Sequence, residues 1–381
     1  MKKNAMICSF MDTILVIIFV FTIFLPLIGS LLGWDLTDDL GEKRLLADCP
    51  IFLKDPVRII PDKFEAFYKD RFGFRNGLIQ GHNWIRYRLC KGGSLGKVLF
   101  GKDDWLFLTK AGIITDFLGQ NPLSEHELEF WKEVLEQRQQ WLQKRGIRYL
   151  FIIAPNKATI YPEMLPDHIQ RSRGRSRMDQ LMEYLRDHST VDVVDLREPL
   201  RQAKHTGLLY HPKDSHWTDR GAFIVYQEIC RKLIEWFPDI QPLRADNFII
   251  TKTKGADDLS MMLGLGKELA QDSEGWIRKT PRLASRKQLT IPEGYEWTRS
   301  IVPEDLLVME NEKAKHRLLL FHDSFAVRGD LREHLGELFL RSAFTPFEPD
   351  AGFLKLLTEL EHPDIVIHEI VERKLRDLPS F

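Results

Sequence analysis

Arg317-Leu318-Leu319-Leu320-Phe321-His322-Asp323-Ser324-Phe325 joins an apolar run of strand length to a short polar turn. The uninterrupted apolar stretch reads as a strand buried on both faces, which is the pattern of a parallel sheet. Ser324 then falls just past the carboxyl end of that strand, where the turns of an open α/β sheet border a crevice. A serine in that place is a candidate nucleophile. Upstream, Asp214-Ser215-His216-Trp217 precedes Thr218, a good helix N-cap, and Gly221-Ala222. Asp214 and His216 complete a Ser-His-Asp set in which His216 takes the serine proton and Asp214 fixes the imidazole tautomer. Acyl transfer or ester hydrolysis is the chemistry this set performs.

Each motif has a plainer reading. Asp214 or Ser215 alone would only cap a helix, with His216 packed beside Trp217, and Asp323-Ser324 alone would only open a turn. The two motifs together favour catalysis. His322 is a second candidate base, but adjacency along an extended segment points it away from Ser324. Asp214, His216, His322 and Asp323 carry donor atoms suited to Zn²⁺, yet none of the recognised ligand spacings occurs, so neither a metal nor a cofactor is expected.

Outward from these motifs, helical and strand patterns alternate. Ser124 and Glu127 have capping-box spacing before Leu128, Trp131, Val134, Leu135 and Leu142, and Gly146 should end that helix. Tyr149 to Ala154 reads as a buried strand, Pro155 to Pro166 as too proline-rich for regular structure, Met178 to Asp187 as a helix and Val191 to Leu196 as a strand. A helix over Ala222 to Trp236, another over Phe353 to Leu360 and a strand at Ile365 to His368 complete the series. The predicted fold is α/β, a mostly parallel sheet with helices on both faces. The expected divisions are a membrane anchor over 1–35, a helical lead-in over 36–100 and a catalytic domain over 101–381, with an irregular, polar insertion or lid at about 241–315. Asn156 and Tyr161 follow a strand and are candidate substrate residues, Asn156 as an oxyanion donor and Tyr161 as a stacking surface for a sugar ring, and Lys157 between them could line the same cleft. Arg373, after the last strand, is a third, placed to orient substrate or pair with Glu369.

The chain has 381 residues, 44% of them hydrophobic, enough for a sizeable core. Lys+Arg 54 against Asp+Glu 55 gives a net charge of −1, which argues against a general nucleic-acid binder. Ile14 to Leu32 carries no charge and approaches the ~20 residues that span a bilayer core. Lys2 and Lys3 precede it and Asp35, Asp38 and Asp39 follow, so the remainder should be exported. The long apolar run without a small-x-small site after it favours a retained anchor over a cleaved signal. Cys49, Cys90 and Cys230 fall in the exported part, an odd number compatible with one disulfide and a spare thiol.

With these residues in view, the chain resembles the AlgX/AlgJ-like (DHHW) polysaccharide O-acetyltransferases, whose core is an SGNH-hydrolase-like domain. The resemblance runs through KDRFGFR, GKDDWLFL, NKATIYPEMLP, YHPKDSHWTDRGA, GADDLSMMLGL, LLLFHDSFA and PDIVIHEIVERKL. The Asp and His precede the serine motif, the permuted order of that family. The resemblance implies Ser324 as nucleophile, His216 as general base and Asp214 as its orienting partner. It further implies a periplasmic enzyme on an inner-membrane anchor, a polysaccharide acceptor, and a multi-pass membrane O-acyltransferase that supplies acetyl groups. A polysaccharide acetyl esterase and a non-catalytic anchored scaffold of a secretion complex are the alternatives.

Overall fold

The computed structural model describes residues 2–32, 47–51, 56–89, 92–287, 306–346 and 348–379. Asp35, Asp38, Asp39 and Cys90 lie outside the described residues. The chain divides into two compact units, residues 1–91 with 260–269, and residues 92–259 with 270–381.

In the first unit, helices form over Lys2–Leu32, Ile60–Arg71 and Arg75–Leu89. The turn between the last two needs a positive φ at Phe74, and the Phe74 ring packs so closely on Gly29 that a Cβ there would meet it at 2.5 Å. Side chains of the first helix are described for residues 13–26, 28, 29 and 32, and Leu15 to Phe21 are exposed. Counting only residues whose side chains are described, which in the first helix leaves out positions 2–12, 27, 30 and 31, no helix is long and apolar enough to cross a membrane. Cys49 and Cys230 are both free thiols.

The second unit is built on strands. β1 (Ser94–Leu95), β2 (Val98–Phe100) and β3 (Leu106–Leu108) make a small antiparallel sheet. β4 (Arg148–Ala154) and β5 (Val193–Asp195) belong to the main sheet, and β6 (Phe248–Lys254) pairs with β7 (Asp272–Arg278) in an antiparallel ribbon. β8 (Ser285–Lys287), β9 (Leu307–Glu310), β10 (Arg317–Phe321), β11 (Arg341–Thr345) and β12 (Ile365–Val371) complete a seven-stranded sheet in the order β5-β4-β12-β10-β11-β9-β8. β5 through β11 in that order run parallel, and β9 and β8 close one edge antiparallel. The carboxyl ends of β4, β12 and β10 therefore meet along one edge.

Along β4, Tyr149, Phe151 and Ile153 pack into one cluster with Trp131 and Leu135 of the helix Glu125–Gln143 and Met178 and Leu181 of the helix Arg177–His188. Leu150, Ile152 and Ala154 point the other way and are equally buried, so both faces of the sheet are covered. The capping box forms as expected, with Glu127 N donating to Ser124 Oγ and Ser124 N to Glu127 Oε2. Gly146, at φ +75°, follows the helix end.

Two expectations are corrected. Among the described residues of the segment 241–315 there are four strands rather than irregular chain: β6 and β7 read as polar because six of the seven β6 residues are exposed, and β8 and β9 extend the main sheet. The proline-rich segment holds a helical turn over Lys157–Ile160 and a 3-10 turn over Pro162–Met164, with Pro162 at the first position, where its missing N–H costs nothing. β11, absent from the sequence reading, hides behind Arg341, Ser342 and Thr345. Arg341 is neutralised by Glu310 and Glu361, which makes a charged residue compatible with an inner strand.

Helix Asp219–Trp236 comes very close to the preceding loop at Gly221, where a Cβ would lie 2.2 Å from Leu209 O and 2.9 Å from Trp217 Cβ. Gly221→Ala should lower stability by about 1–3 kcal/mol by pushing the helix off that loop. Thermal denaturation followed by circular dichroism reads the effect.

Candidate active site

The loop carrying Asp214 and His216 is pinned at both ends. Tyr210 and Trp217 form an antiparallel bridge, Thr218 N donates to Leu209 O, and Thr218 Oγ1 accepts from Gly221 N to cap the following helix. Trp217 is buried against the Phe325 ring, edge to face at 4.7 Å, and its indole N–H donates to Arg328 O. The aromatic residue ending each motif thus joins the two motifs. Phe325 also lies 4.9 Å from the His216 ring.

The serine turn is held with equal economy. Asp323 caps the short helix Ser324–Val327 by accepting from Phe325 N, and its other oxygen accepts from Val371 N at the end of β12. Asp323 N donates to Glu369 Oε2. Ser324 is left exposed above a buried Phe325. Its Oγ lies 2.8 Å from His216 Nε2, and His216 Nδ1 lies 2.7 Å from Asp214 Oδ1. In the tautomer that Asp214 selects, Nδ1–H donates to the carboxylate and Nε2 accepts from the serine hydroxyl. Burial acts to raise the Asp214 carboxyl, but the hydrogen bond and charge of His216, with the amides of Asp258 and His216, hold it well below the usual carboxylate range.

His322 is turned into the protein, where Nδ1 donates to Asp323 O and burial pushes the ring down to about 4. It does not reach Ser324 in any hydrogen bond of the structure. The set Asp214, His216 and Asp258 brings its donor atoms within 4.8 Å of one another, but Asp214 Oδ1 and His216 Nδ1 are already engaged with each other.

The family model described as SGNH hydrolase-like domain, acetyltransferase AlgX matches residues 98–288, half of the chain. The chain belongs to this AlgX family. The match takes in Asp214, His216 and Asp258 and stops short of Ser324. Over the longer span the chain is 29% identical to the probable alginate O-acetylase AlgJ of Pseudomonas aeruginosa, across 93% of this chain and 89% of that protein. Among solved structures it is similar to PatB1 of Bacillus cereus, at 19% identity and a TM-score of 0.52 over 73% of this chain and 96% of the other. A DHHW family protein from Eubacterium siraeum matches with 11% identity and a TM-score of 0.51, over 74% of this chain and 93% of the other. These two likenesses are of fold.

Of the three residues expected to bind substrate, two line a small recess beside the Asp214–Trp217 loop. Asn156 and Arg373 share it with Phe107, Lys157 and Ser215, and Arg373 Nη1 reaches Asn156 Oδ1 at 3.5 Å. The guanidinium lies over the Phe325 ring at 5.5 Å, and the charges of Asp323, Asp258 and Glu369 act on it against its burial. Tyr161 is the correction. It is 4% exposed, packs against Trp105 at 4.6 Å and accepts from Leu209 N, so it is a core residue and offers no face to a sugar.

Asp258 is a site residue that the sequence did not single out, and Lys157 was expected only to line the cleft. Lys157 is 4% exposed, and its ammonium donates to His211 O, Pro212 O and Asp214 O, one acceptor for each of its three protons. Asp258 contacts both Asp214 and Ser215. For Asp258 the only sequence signal was membership of the GADDLSMMLGL stretch, and for Lys157 the position after a strand showed the cleft but not the loop it holds.

Behind the recess, Glu372 Oε2 accepts from Asn156 N and Thr159 Oγ1. Burial nevertheless pushes its carboxyl up to about 7. Between the ordinary glutamate value of 4.5 and about 7 the folded state holds a proton that the unfolded state has lost, so this group's stabilisation falls as pH rises through that window. Glu372→Gln should remove that dependence, seen as a smaller difference in Tm between pH 5 and pH 8.

Proposed function

We propose that the protein is an O-acetyltransferase that places acetyl groups on hydroxyls of an exported polysaccharide through an acetyl-Ser324 intermediate. The observation that carries this reading is the pair of hydrogen bonds from Ser324 to His216 and from His216 to Asp214, 2.8 and 2.7 Å, beyond the end of β10 in a chain of the AlgX family.

His216 Nε2 takes the Ser324 proton as Oγ attacks the acetyl carbonyl, and returns it to the leaving group of the donor. An acceptor hydroxyl then gives its proton to the same nitrogen and attacks the acetyl-serine. The acetyl ester moves to the sugar and Ser324 recovers a proton. Asn156 Oδ1 faces Arg373, leaving the amide N–H₂ of Asn156 and the guanidinium as donors for the developing oxyanion or the acceptor. Similarity to a probable alginate O-acetylase supports an alginate-like polymer as acceptor, with another exopolysaccharide or a cell-wall glycan as the alternatives.

The helix Lys2–Leu32 is taken as a single-pass inner-membrane anchor with the catalytic unit in the periplasm. The uncharged stretch from Ile14 to Leu32, the lysines before it and the exposure of Leu15, Ile17, Phe19 and Phe21 support this. Acetyl would then reach Ser324 from a multi-pass membrane O-acyltransferase.

The test is to incubate the full chain with an activated acetyl ester and oligosaccharide acceptors, followed by mass spectrometry of protein and sugar. Acetyl on the sugar, with an adduct on Ser324, is the expected result. Ester cleavage without acetylated sugar would make it an esterase, and no turnover or adduct would make it a scaffold.

A further inference from the structure

We propose that Asp258 is a positioning residue of the proton-transfer pair, acting through Asp214, Ser215 and His216 without touching the reacting atoms. The inference rests on the acetyl-serine reading, because it assigns Asp258 to the step that His216 performs.

Asp258 opens the helix Asp258–Met262, reached from the end of β6 through Gly255, whose N–H donates to Gln271 O and closes the base of that excursion. The chain thus brings the residue to the site from 44 positions beyond Asp214. Its backbone N–H donates to Asp214 Oδ2 at 2.9 Å. That leaves Asp214 Oδ1 for the two donors of His216, the backbone N–H at 2.8 Å and Nδ1 at 2.7 Å. The Asp258 carboxylate in turn accepts from Ser215 N at 2.7 Å and from Ser215 Oγ at 2.5 Å. Next along the chain, Leu259 N donates to Lys213 O. Residues 213 to 215 are therefore each bonded from this one helical turn.

The second consequence is electrostatic. Asp258 Oδ2 stands 3.7 Å from His216 Nδ1, too far for a hydrogen bond and close enough for strong attraction in a buried site. When the Ser324 proton reaches Nε2, the imidazolium forms beside two carboxylates instead of one. Burial and the neighbouring Asp214 charge raise the Asp258 carboxyl, while Ser215 and His216 oppose that rise. The hydrogen bonds to Ser215 are thus what permit a second acid so near the first.

Clamp and charge are separable by substitution. Asp258→Asn keeps the backbone N–H and an acceptor for Ser215 N, and removes the charge; Asp258→Ala removes the side-chain clamp as well. The measurements are kcat and KM for an acetyl ester, and the rate at which a sulfonyl fluoride modifies Ser324, which reads nucleophile activation without needing an acceptor. Expected for Asp258→Asn is a fall of about tenfold in kcat and in sulfonylation, with KM within about twofold, the signature of an interaction made in the transition state. Asp258→Ala should lose about a hundredfold in both rates. Sulfonylation and kcat at the wild-type level in both variants would overturn the proposal. Loss in Asp258→Ala alone would reduce it to a clamp and overturn the electrostatic part. If EDTA abolishes wild-type sulfonylation, the cluster holds a cation and the proposal falls. A wild-type protein that is sulfonylated at Ser324 yet transfers no acetyl would overturn the proposed function while leaving the Asp258 comparison readable.

Discussion

Ser324→Ala should abolish acetyl transfer, with kcat falling at least about 10³-fold, while stability changes little. Ser324 is exposed, and the cap of its short helix comes from Asp323 rather than from its own hydroxyl, so no packing or capping is lost. The acetyl adduct on that residue must disappear at the same time. His216→Ala should cost a similar factor, and the double variant should be no worse than either single one, because the two side chains act as one unit. Rates measured with the activated ester, together with intact-protein mass spectrometry, decide this. Retention of wild-type turnover by Ser324→Ala would remove the acetyl-serine mechanism.

The second large effect is expected at Lys157. Its ammonium is the central fastener of the loop that carries Asp214 and His216, holding three backbone carbonyls within hydrogen-bond distance and lying 5.1 Å from the Phe107 ring centre. Lys157→Met keeps the length and the apolar stem but leaves those carbonyls without their donor. Each unpaired buried acceptor costs about 1–3 kcal/mol, offset in part by the buried charge that methionine no longer carries. A net loss of about 2–4 kcal/mol in urea unfolding is expected, with kcat down about 10- to 100-fold as the Asp214 backbone loosens.

The pH behaviour distinguishes this from a generic core defect. Burial pushes the Lys157 ammonium down to about 7 from the ordinary 10.5, against the pull of Asp214 and Asp258. Between those values the unfolded chain binds a proton that the folded chain has released, so this group makes stability rise with pH from about 7 upward. Activity should move the opposite way, because a neutral amine has two protons for three carbonyls. Lys157→Met should lose the alkaline rise in stability. Unfolding midpoints at pH 6, 8 and 9.5 check it.

What was legible in the sequence was whatever a short window encodes. The run before His322 had one physical solution, a strand buried on both faces, and β10 sits in the middle of the parallel sheet. Ser124 and Glu127 announced a helix start because a capping box is complete within four residues. The ordering of Asp214, His216 and Ser324 was visible because two of them are near neighbours and the third follows a strand end. β11 and the 241–315 strands were not legible, since their burial or exposure is set by partners elsewhere: Arg341 is tolerated only because Glu310 and Glu361 meet it. Tyr161 looked like a ligand-facing aromatic because the sequence cannot show that Trp105 and Leu209 already occupy it.

By itself the sequence determined the α/β class, the sheet-end location of the serine and the three residue types the chemistry requires, because periodicity, caps and turns act over a few residues. Tertiary structure alone decided that His216 lies between Ser324 and Asp214, that Lys157 fixes the loop carrying Asp214 and His216, and that Asp258 arrives from a distant hairpin. Buried charges and polar groups must find partners, and which partner is in reach depends on where the whole chain returns to the same few ångströms.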